Sequence, residues 1–211
     1  MKKLRYILLS VIIAFSLSAC SDSYKAESEN LNVVASFYPI YIIAQNVIGD
    51  AEGISLENMA QPQTGCLHDY QLSSGDMRKL NQADLFIVNG GGMESFLDNA
   101  LELFPDLNKI DTSEGVTKLH EPEHEHSEGH SHESNPHFWM YPENAAVQAD
   151  NICKALSAIC PDNAEVFKKN TASFIERINS LECPDFGHKK AVVFNEAYEY
   201  LELTYGLDVE F

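Results

Sequence analysis

Short apolar runs alternate with longer helix-like stretches from Leu31 to the end of this chain, and few folds accommodate that order. The runs are rich in valine, isoleucine and phenylalanine, which is typical of strands buried on both faces. Strands that alternate with helices form a mostly parallel sheet, so we predict the α/β fold class. The predicted strands cover residues 32–37, 54–56, 84–88, 108–111, 188–194 and 208–211.

The stretches between the strands carry the start and stop signals of helices. Ser73 or Ser74 can cap one helix, and Asp76 lies three residues after Ser73, in the register of a capping box. The three glycines at 90–92 fit neither common phosphate-binding motif and indicate tight packing between a strand and a helix. The predicted helices cover residues 39–48, 73–81, 93–103, 142–159, 161–182 and 196–205, the fifth being longer than the fourth.

The segment from 120 to 137 reads HEPEHEHSEGHSHESNPH and contains six of the eight histidines of the chain, together with five glutamates. Imidazole is the commonest protein ligand for zinc and other late divalent ions, and glutamate adds oxygen donors and negative charge. Such a tract has almost nothing apolar to bury. We therefore expect residues 120–134 to form a loop that gathers metal ions at low affinity, through His120, His124, His126, His130 and His132.

Residues 1–19 have the pattern of a secretory signal peptide. Three basic residues precede an apolar run that is too short for a transmembrane helix, and Leu-Ser-Ala stands before Cys20. This ending resembles the bacterial lipobox, which implies that Cys20 is lipidated and becomes the mature N-terminus; a plain signal peptide cut elsewhere is the alternative. Residues 20–30 would then be the lipidated cysteine and a flexible tether, and the protein would be extracytoplasmic and lipid-anchored to a bacterial cell membrane.

The net charge of −18 disfavours nucleic acid and anionic membrane surfaces as partners and favours cationic ligands. The four cysteines after Cys20 match no compact disulfide framework. Cys153 and Cys160 lie two turns apart on a predicted helix, beyond bonding distance. We therefore expect buried thiols at Cys66, Cys153, Cys160 and Cys183.

Three short patches outside the tract place polar residues in loops or at strand ends, where parallel α/β sheets bind their ligands. They read GCLHDYQ at 65–71, NPHFW at 135–139 and FNEAY at 194–198. Pro136 favours extended backbone, so His137 would project from a rigid edge. A lone histidine such as His68 is more often structural than a metal ligand, so the patches are informative only as a set and with the tract.

The patches and their surroundings resemble the zinc- and manganese-type solute-binding lipoproteins of bacterial ABC importers. The matching pieces, in order, are VVASFYPIYIIAQNVIGD, HDYQLSSGDMRKLNQADLFIVNGGGMESFLD, NPHFWMYPENA and VVFNEAYEYLELTYGL, and they cover nearly all of residues 32–207. The resemblance implies two α/β lobes bridged by a long rigid helix, with the metal between them. It implies an N-terminal lobe of (βα)4 type at 31–160, the linker helix at 161–183 and only the beginning of a second lobe at 184–211, as in a C-terminally truncated member.

The resemblance also implies a ligand set. The family holds its metal with a histidine in each of the first two patches, matched here by His68 and His137. At the third position the family has histidine or glutamate, whereas this chain has Asn195, a neutral oxygen donor that binds zinc poorly. The adjacent Glu196 is the alternative third ligand, Cys66 is an alternative soft donor, and a fourth, acidic ligand would lie beyond the end of this sequence.

These expectations describe a binding protein, not an enzyme, that captures Zn²⁺, with Mn²⁺ as second choice, and delivers it as a monomer to an ABC permease. The departure at Asn195 and the short second lobe also fit a metal-buffering or adhesin-type lipoprotein, or a non-functional fragment. A metal-dependent hydrolase is the remaining alternative. It would need a third ligand and a placed general base, which the sequence does not display.

Overall fold

Four parallel strands form the first sheet of the computed structural model, which describes residues 30–60, 67, 70–119 and 134–210. The strands are β1 (Leu31–Ala35), β2 (Ile54–Asn58), β3 (Leu85–Val88) and β4 (Asn108–Asp111). They lie in the order β2-β1-β3-β4, and each neighbouring pair is parallel. Three helices connect them: α1 (Tyr38–Ile48), α2 (Ser74–Gln82) and the single turn α3 (Asp98–Leu101). The predicted α/β class with a parallel sheet is confirmed.

Both faces of this sheet are covered, because alternate residues of a strand point to opposite sides. Val33 and Ile87 belong to one buried cluster, which α1 covers from its own apolar side. Val34 follows Val33 in β1, and Phe86 precedes Ile87 in β3, so both point to the opposite face. They belong to a second cluster with Leu80 of α2. The apolar composition of the strands therefore reflects burial on both faces.

Two helices follow the histidine tract and complete the first cluster. These are α4 (Pro142–Ile159) and α5 (Ala164–Asn179), with a 3-10 turn at Pro161–Asn163 between them. Phe167 of α5 is fully buried in the cluster. The side-chain amide of Asn170 donates to the last carbonyl oxygens of α1, at 3.2 and 3.3 Å. The helix expected to link two lobes is thus packed against the first lobe.

The predicted helix at 161–182 is shorter than expected. It has 16 residues, against 18 in α4, and ends at Asn179. Leu181 is 60% exposed, so it has no core contact that would extend the helix. Pro184 also disfavours helical backbone in the residue before it.

The sequence predicts one continuous helix between the glycines and Leu103, and this prediction is wrong. The segment forms a 3-10 turn at Ser95–Leu97 followed by the four residues of α3. Glu94 stands at the N-cap position, and its carboxylate accepts hydrogen bonds from the backbone N–H groups of Asn89 and Gly90. This carboxylate closes the turn, so helical structure begins only after it.

A second, small sheet lies near the end of the chain. It pairs β5 (Lys190–Val192) with β6 (Asp208–Glu210) in parallel. A 3-10 helix at Glu196–Tyr200 and α6 (Leu201–Tyr205) connect the two strands. The strand predicted at 208–211 is present as β6, which pairs with β5 along its length. The helix predicted at 196–205 is present, but its first part, Glu196–Tyr200, is 3-10 and only Leu201–Tyr205 is α-helical.

The sequence predicts a capping box at the start of α2, and the structure contains it. Ser73 and Asp76 form the predicted capping box of α2, and the helix starts at Ser74.

Cys153 is a buried free thiol as expected, but Cys183 is exposed and Cys160 is only partly buried. Cys20 and Cys66 lie outside the described residues. In the part of the chain that the structure describes, no helix has the length and apolar character needed to span a membrane.

Candidate metal centre

The strand order of the first sheet reverses at β1, whose neighbours are β2 on one side and β3 on the other. Open parallel α/β sheets bind their ligands at such a point, beyond the carboxyl ends of the strands. Ser36 follows β1 at this edge and Asn89 follows β3, and both side chains are fully buried. The edge between these two residues is therefore where the fold alone predicts a ligand site.

Asn89 anchors the NPHFW patch to this edge. Its side-chain amide donates to the carbonyl oxygen of Pro136 at 2.9 Å, across 47 residues of sequence. Its amide oxygen accepts a hydrogen bond of 3.0 Å from Gln148 of α4. Held from both sides, Asn89 fixes the backbone immediately before His137 over the carboxyl end of β3.

His137 is a buried residue, with 4% of its surface exposed. Its ring centroid lies 5.2 Å from that of Trp139, which in turn contacts Phe37 edge-on at 4.8 Å. Phe37 follows Ser36 after β1. The aromatic contacts thus place the imidazole near the carboxyl ends of both central strands, where the reversal of strand order predicts a ligand.

The imidazole is oriented by Asn135. The amide oxygen of Asn135 accepts from the backbone N–H of His137 at 3.0 Å, and it lies 2.8 Å from Nδ1 of the His137 ring. The first contact closes an Asx turn, in which the side chain bonds the backbone two residues on. The same oxygen therefore sets both the backbone and the ring of His137.

The orientation of the Asn135 amide follows from its four partners. Its nitrogen donates to the carbonyl oxygen of Glu196 at 2.9 Å and to the carboxylate of Glu199 at 2.8 Å. Both are acceptors, so the NH₂ group must face them and the oxygen must face His137. Because that oxygen cannot donate, Nδ1 of His137 carries the hydrogen and the ring lone pair lies on Nε2. This is the tautomer that ligates a metal through Nε2.

A buried acid, Glu94, stands at the same edge. Glu94 accepts hydrogen bonds of 2.7 Å from the Ser36 hydroxyl and from the backbone N–H of Asn89, and one of 3.1 Å from that of Gly90. Burial raises the pKa of its carboxyl from 4.5 to about 7, although these three hydrogen bonds oppose the shift. Sequence reasoning missed Glu94, because a glutamate just before a helix is common and does not by itself indicate a buried acid.

The third patch has a structural task of its own. The amide oxygen of Asn195, the atom that would serve as a metal donor, accepts a 2.9 Å hydrogen bond from the backbone N–H of Ala197. Asn195 thereby caps the 3-10 helix at Glu196–Tyr200. Since the carbonyl oxygen of Glu196 accepts from Asn135, the third patch is tied directly to the second.

The predicted ligands are only partly within the described structure. His137 and Asn195 are described, and Asn135 links the segments that contain them. Several other predicted ligands lie outside the described residues. They are His68, Cys66 and the tract histidines His120, His124, His126, His130 and His132. Within residues 30–60, 67, 70–119 and 134–210, no three His, Cys, Asp or Glu side chains group as a metal cluster. The ligand set stays a prediction.

Tyr200 is a residue that sequence reasoning missed. It is fully buried, and its hydroxyl donates to the carbonyl oxygen of Asn135 at 2.8 Å and accepts from the backbone N–H of Leu119 at 3.3 Å. Burial raises its pKa to about 12, which keeps the phenol protonated as a donor. Asn135, by contrast, had a signal: an asparagine two residues before a candidate ligand has the spacing of an Asx turn.

Sequence comparison identifies relatives of this chain. A family model described as zinc-uptake complex component A, periplasmic (ZnuA) matches residues 33–211. The zinc-binding lipoprotein AdcA of Streptococcus pneumoniae is 33% identical over 222 residues, which cover 98% of this chain and 43% of AdcA. The iron-binding protein YfeA of Yersinia pestis is 32% identical over 217 residues, covering 96% of this chain and 67% of YfeA. The chain spans less than half the length of AdcA.

Structural comparison gives the same relatives. The crystal structure of Zn(II)-bound AdcA from Streptococcus pneumoniae matches with a TM-score of 0.70 at 30% identity, covering 85% of this chain and 38% of that one. The Zn(II)-bound ZnuA-like domain of the same protein also gives 0.70 at 30% identity, with 66% of its length covered. The sheet with its surrounding helices is therefore an arrangement that this chain has in common with zinc-bound proteins.

Proposed function

Because this chain belongs to the ZnuA family of periplasmic zinc-uptake components, we propose that it captures Zn²⁺ outside the cytoplasm and delivers it to an ABC permease. It acts as a binding protein and performs no chemistry on the ion. Lipid on Cys20 would keep it at the membrane, and one molecule would carry one tightly held ion. The acidic chain, with a net charge of −18, attracts cations over long range.

The buried ring of His137 is the observation that carries this proposal. It lies at the reversal of strand order, it is held by an Asx turn, and the acceptor oxygen at Nδ1 leaves the lone pair of the neutral ring on Nε2. Any buried imidazole needs a hydrogen-bond partner, so it is the combination of this partner with the position at the strand reversal that favours a ligand. Metal-ligating histidines commonly have such a partner on the other ring nitrogen.

The proposed ligand set is His68 and His137, with Asn195 or Glu196 in the third position. Imidazole ligands favour zinc over harder ions such as manganese, which prefers carboxylate oxygens. The AdcA relatives are described as zinc-binding, whereas YfeA is described as iron-binding. The histidine donors and the AdcA likeness together favour zinc as the cargo.

Zinc titration of the purified chain by calorimetry tests the proposal. We expect one tight site, plus weaker sites that disappear when residues 120–134 are deleted. His137→Ala and His68→Ala should each weaken the tight site by more than the 10- to 100-fold typical of losing an outer hydrogen-bond partner. His188→Ala is the matched control, because the His188 side chain is 84% exposed and its Nδ1 lies 3.2 Å from the carboxylate of Asp208 in the second sheet.

The alternative function predicts a different titration. If neither His68→Ala nor His137→Ala changes the tight site, the ligand assignment is wrong. If the chain shows only weak sites, all lost on deleting 120–134, it is a metal buffer built on the histidine tract and not a transport protein. The tract, with five histidines between 120 and 134, is the feature that favours this alternative.

A further inference from the structure

Asn135 lies between two parts of the molecule that are far apart in sequence. On one side its amide oxygen contacts the backbone and ring of His137. On the other side its amide nitrogen contacts Glu196 and Glu199, which are more than 60 residues away. The residue is 1% exposed, so all four contacts are made in the absence of competing water. All of the hydrogen-bonding capacity of the side chain is thus used within the protein.

We propose that Asn135 is the positioning residue of the metal site: its amide holds the His137 ring in the Nε2-ligating tautomer and couples that ring to the helical segment at 196–200. The inference rests on the proposed function in taking His137 as a metal ligand. It assigns a role to a side chain that does not itself contact the metal.

The coupling arises from the geometry of a primary amide. The carboxamide is planar and rigid, so a shift of the 196–200 segment that moves the NH₂ group must also move the oxygen facing the ring. A second contact restrains the same residue, because Tyr200 of that segment donates to the Asn135 carbonyl oxygen at 2.8 Å. Docking of the segment and orientation of the imidazole therefore depend on each other.

Asn135→Ala tests the positioning role, with Asn144→Ala as a matched control. Asn144 is also 1% exposed and makes two side-chain hydrogen bonds, of 2.7 and 2.8 Å, but both go to the backbone of Thr117. Both variants lose a buried amide of the same size. We expect Asn135→Ala to bind zinc about 10- to 100-fold more weakly than the wild type, and Asn144→Ala to bind it normally.

A spectroscopic measurement separates positioning from general loosening. In the metal-free protein, ¹⁵N NMR at a pH where imidazoles are neutral reports the tautomer of each histidine ring. The wild type should show His137 as one tautomer, protonated at Nδ1, and Asn144→Ala should keep it. Asn135→Ala should show a mixture of the two tautomers.

An amide–carboxylate exchange guards against a variant that fails to fold. Asn135→Asp combined with Glu199→Gln keeps an acceptor facing His137 and a hydrogen bond to residue 199 with its direction reversed, although the donor to the Glu196 carbonyl oxygen is lost. A carboxylate is a good orienting partner for a ligating histidine, so this double variant should regain at least about tenfold in zinc affinity over Asn135→Ala.

The outcomes distinguish this inference from the proposed function. If the wild type binds zinc tightly and Asn135→Ala does so as well, with a single His137 tautomer, Asn135 has no positioning role and the proposed function stands. If the wild type has no tight site, the proposed function fails, and the NMR result still decides whether Asn135 sets the ring. A folded double variant that still showed a mixture of the two His137 tautomers would also overturn the inference.

Discussion

Glu94 is a buried acid whose protonation should be visible in the stability of the protein. Its carboxyl is removed from water at the carboxyl edge of the sheet, and burial raises its pKa from 4.5 to about 7. The hydroxyl of Ser36 and two backbone N–H groups partly offset the cost of ionising it there. The folded state therefore binds this proton more tightly than the unfolded chain does.

The sign of the pH dependence follows from linkage. A raised pKa in the folded state makes a stabilising contribution that is fully present below about pH 4.5 and is lost as the pH rises through about 7. Relative to Glu94→Gln, the wild type should lose on the order of 3 kcal/mol of unfolding free energy across that window, since one pKa unit corresponds to about 1.4 kcal/mol. Denaturant unfolding at a series of pH values measures this difference.

The exposed Glu102 offers a control for that series, because Glu102→Gln removes a carboxyl from the surface. Its difference from the wild type should change little with pH. A flat difference for Glu94→Gln as well would mean that Glu94 ionises in the folded state as readily as in the unfolded chain.

The turn between β3 and α3 is the element on which the His137 segment rests. Gly91 has a φ of +64°, and a Cβ atom built on it would lie 2.4 Å from Cζ of the Phe138 ring. Phe138 follows His137 and is fully buried. Glycine is needed here both for its backbone conformation and for the close approach of an aromatic ring.

Gly91→Ala and Gly187→Ala separate these two requirements. Gly187 has a nearly identical φ of +62°, but a Cβ atom there would meet nothing within 4 Å, so alanine costs only about 1–2 kcal/mol of backbone strain. Gly91→Ala should cost a further 1–3 kcal/mol or so from overpacking, measured by denaturant unfolding. It should also weaken zinc binding, because Phe138 must move. Equal losses in the two variants would show that the ring contact is unimportant.

Element prediction succeeded where the signal was local and failed where a distant contact decided the boundary. The capping box at Ser73 places the start of α2 correctly because its hydrogen bonds span three residues. The helix predicted after Gly92 is broken because the Glu94 carboxylate accepts hydrogen bonds from the backbone of Asn89 and Gly90. The position of Glu94 in the sequence does not predict these bonds. The helix expected to end at residue 182 stops at Asn179, five residues after Phe174, its last side chain packed against the core cluster.

At the scale of the described molecule, Tyr200 links the segment at 196–200 to residues that precede α4. Its hydroxyl donates to the carbonyl oxygen of Asn135 and accepts from the backbone N–H of Leu119. Its ring packs in one cluster with Phe138. Tyr200→Phe would leave the buried carbonyl oxygen of Asn135 and the part-buried N–H of Leu119 without this partner, at a cost of about 1–3 kcal/mol. Hydrogen exchange should then accelerate in 196–200 more than in α4.

Tyr205→Phe is the matched control, because Tyr205 belongs to the adjoining helix α6 and is only partly buried. Its loss of a hydroxyl should leave exchange in 196–200 unchanged. If Tyr200→Phe behaves in the same way, the segment is held by apolar contact alone, and the hydroxyl bridge to Asn135 contributes nothing measurable.

Local patterns in the amino-acid sequence were enough to predict the order of strands and helices and the parallel sheet they form, whereas His137 became a candidate ligand through the family resemblance. These properties depend on hydrophobic periodicity, caps and short motifs, which act over a few residues. Three contacts became known only from the folded chain: Asn89 donates to Pro136, Asn135 donates to Glu196, and Glu94 accepts from Ser36. In each of them the bonded partners are 47 or more residues apart, and only the packing of strands and helices brings the two within hydrogen-bonding distance.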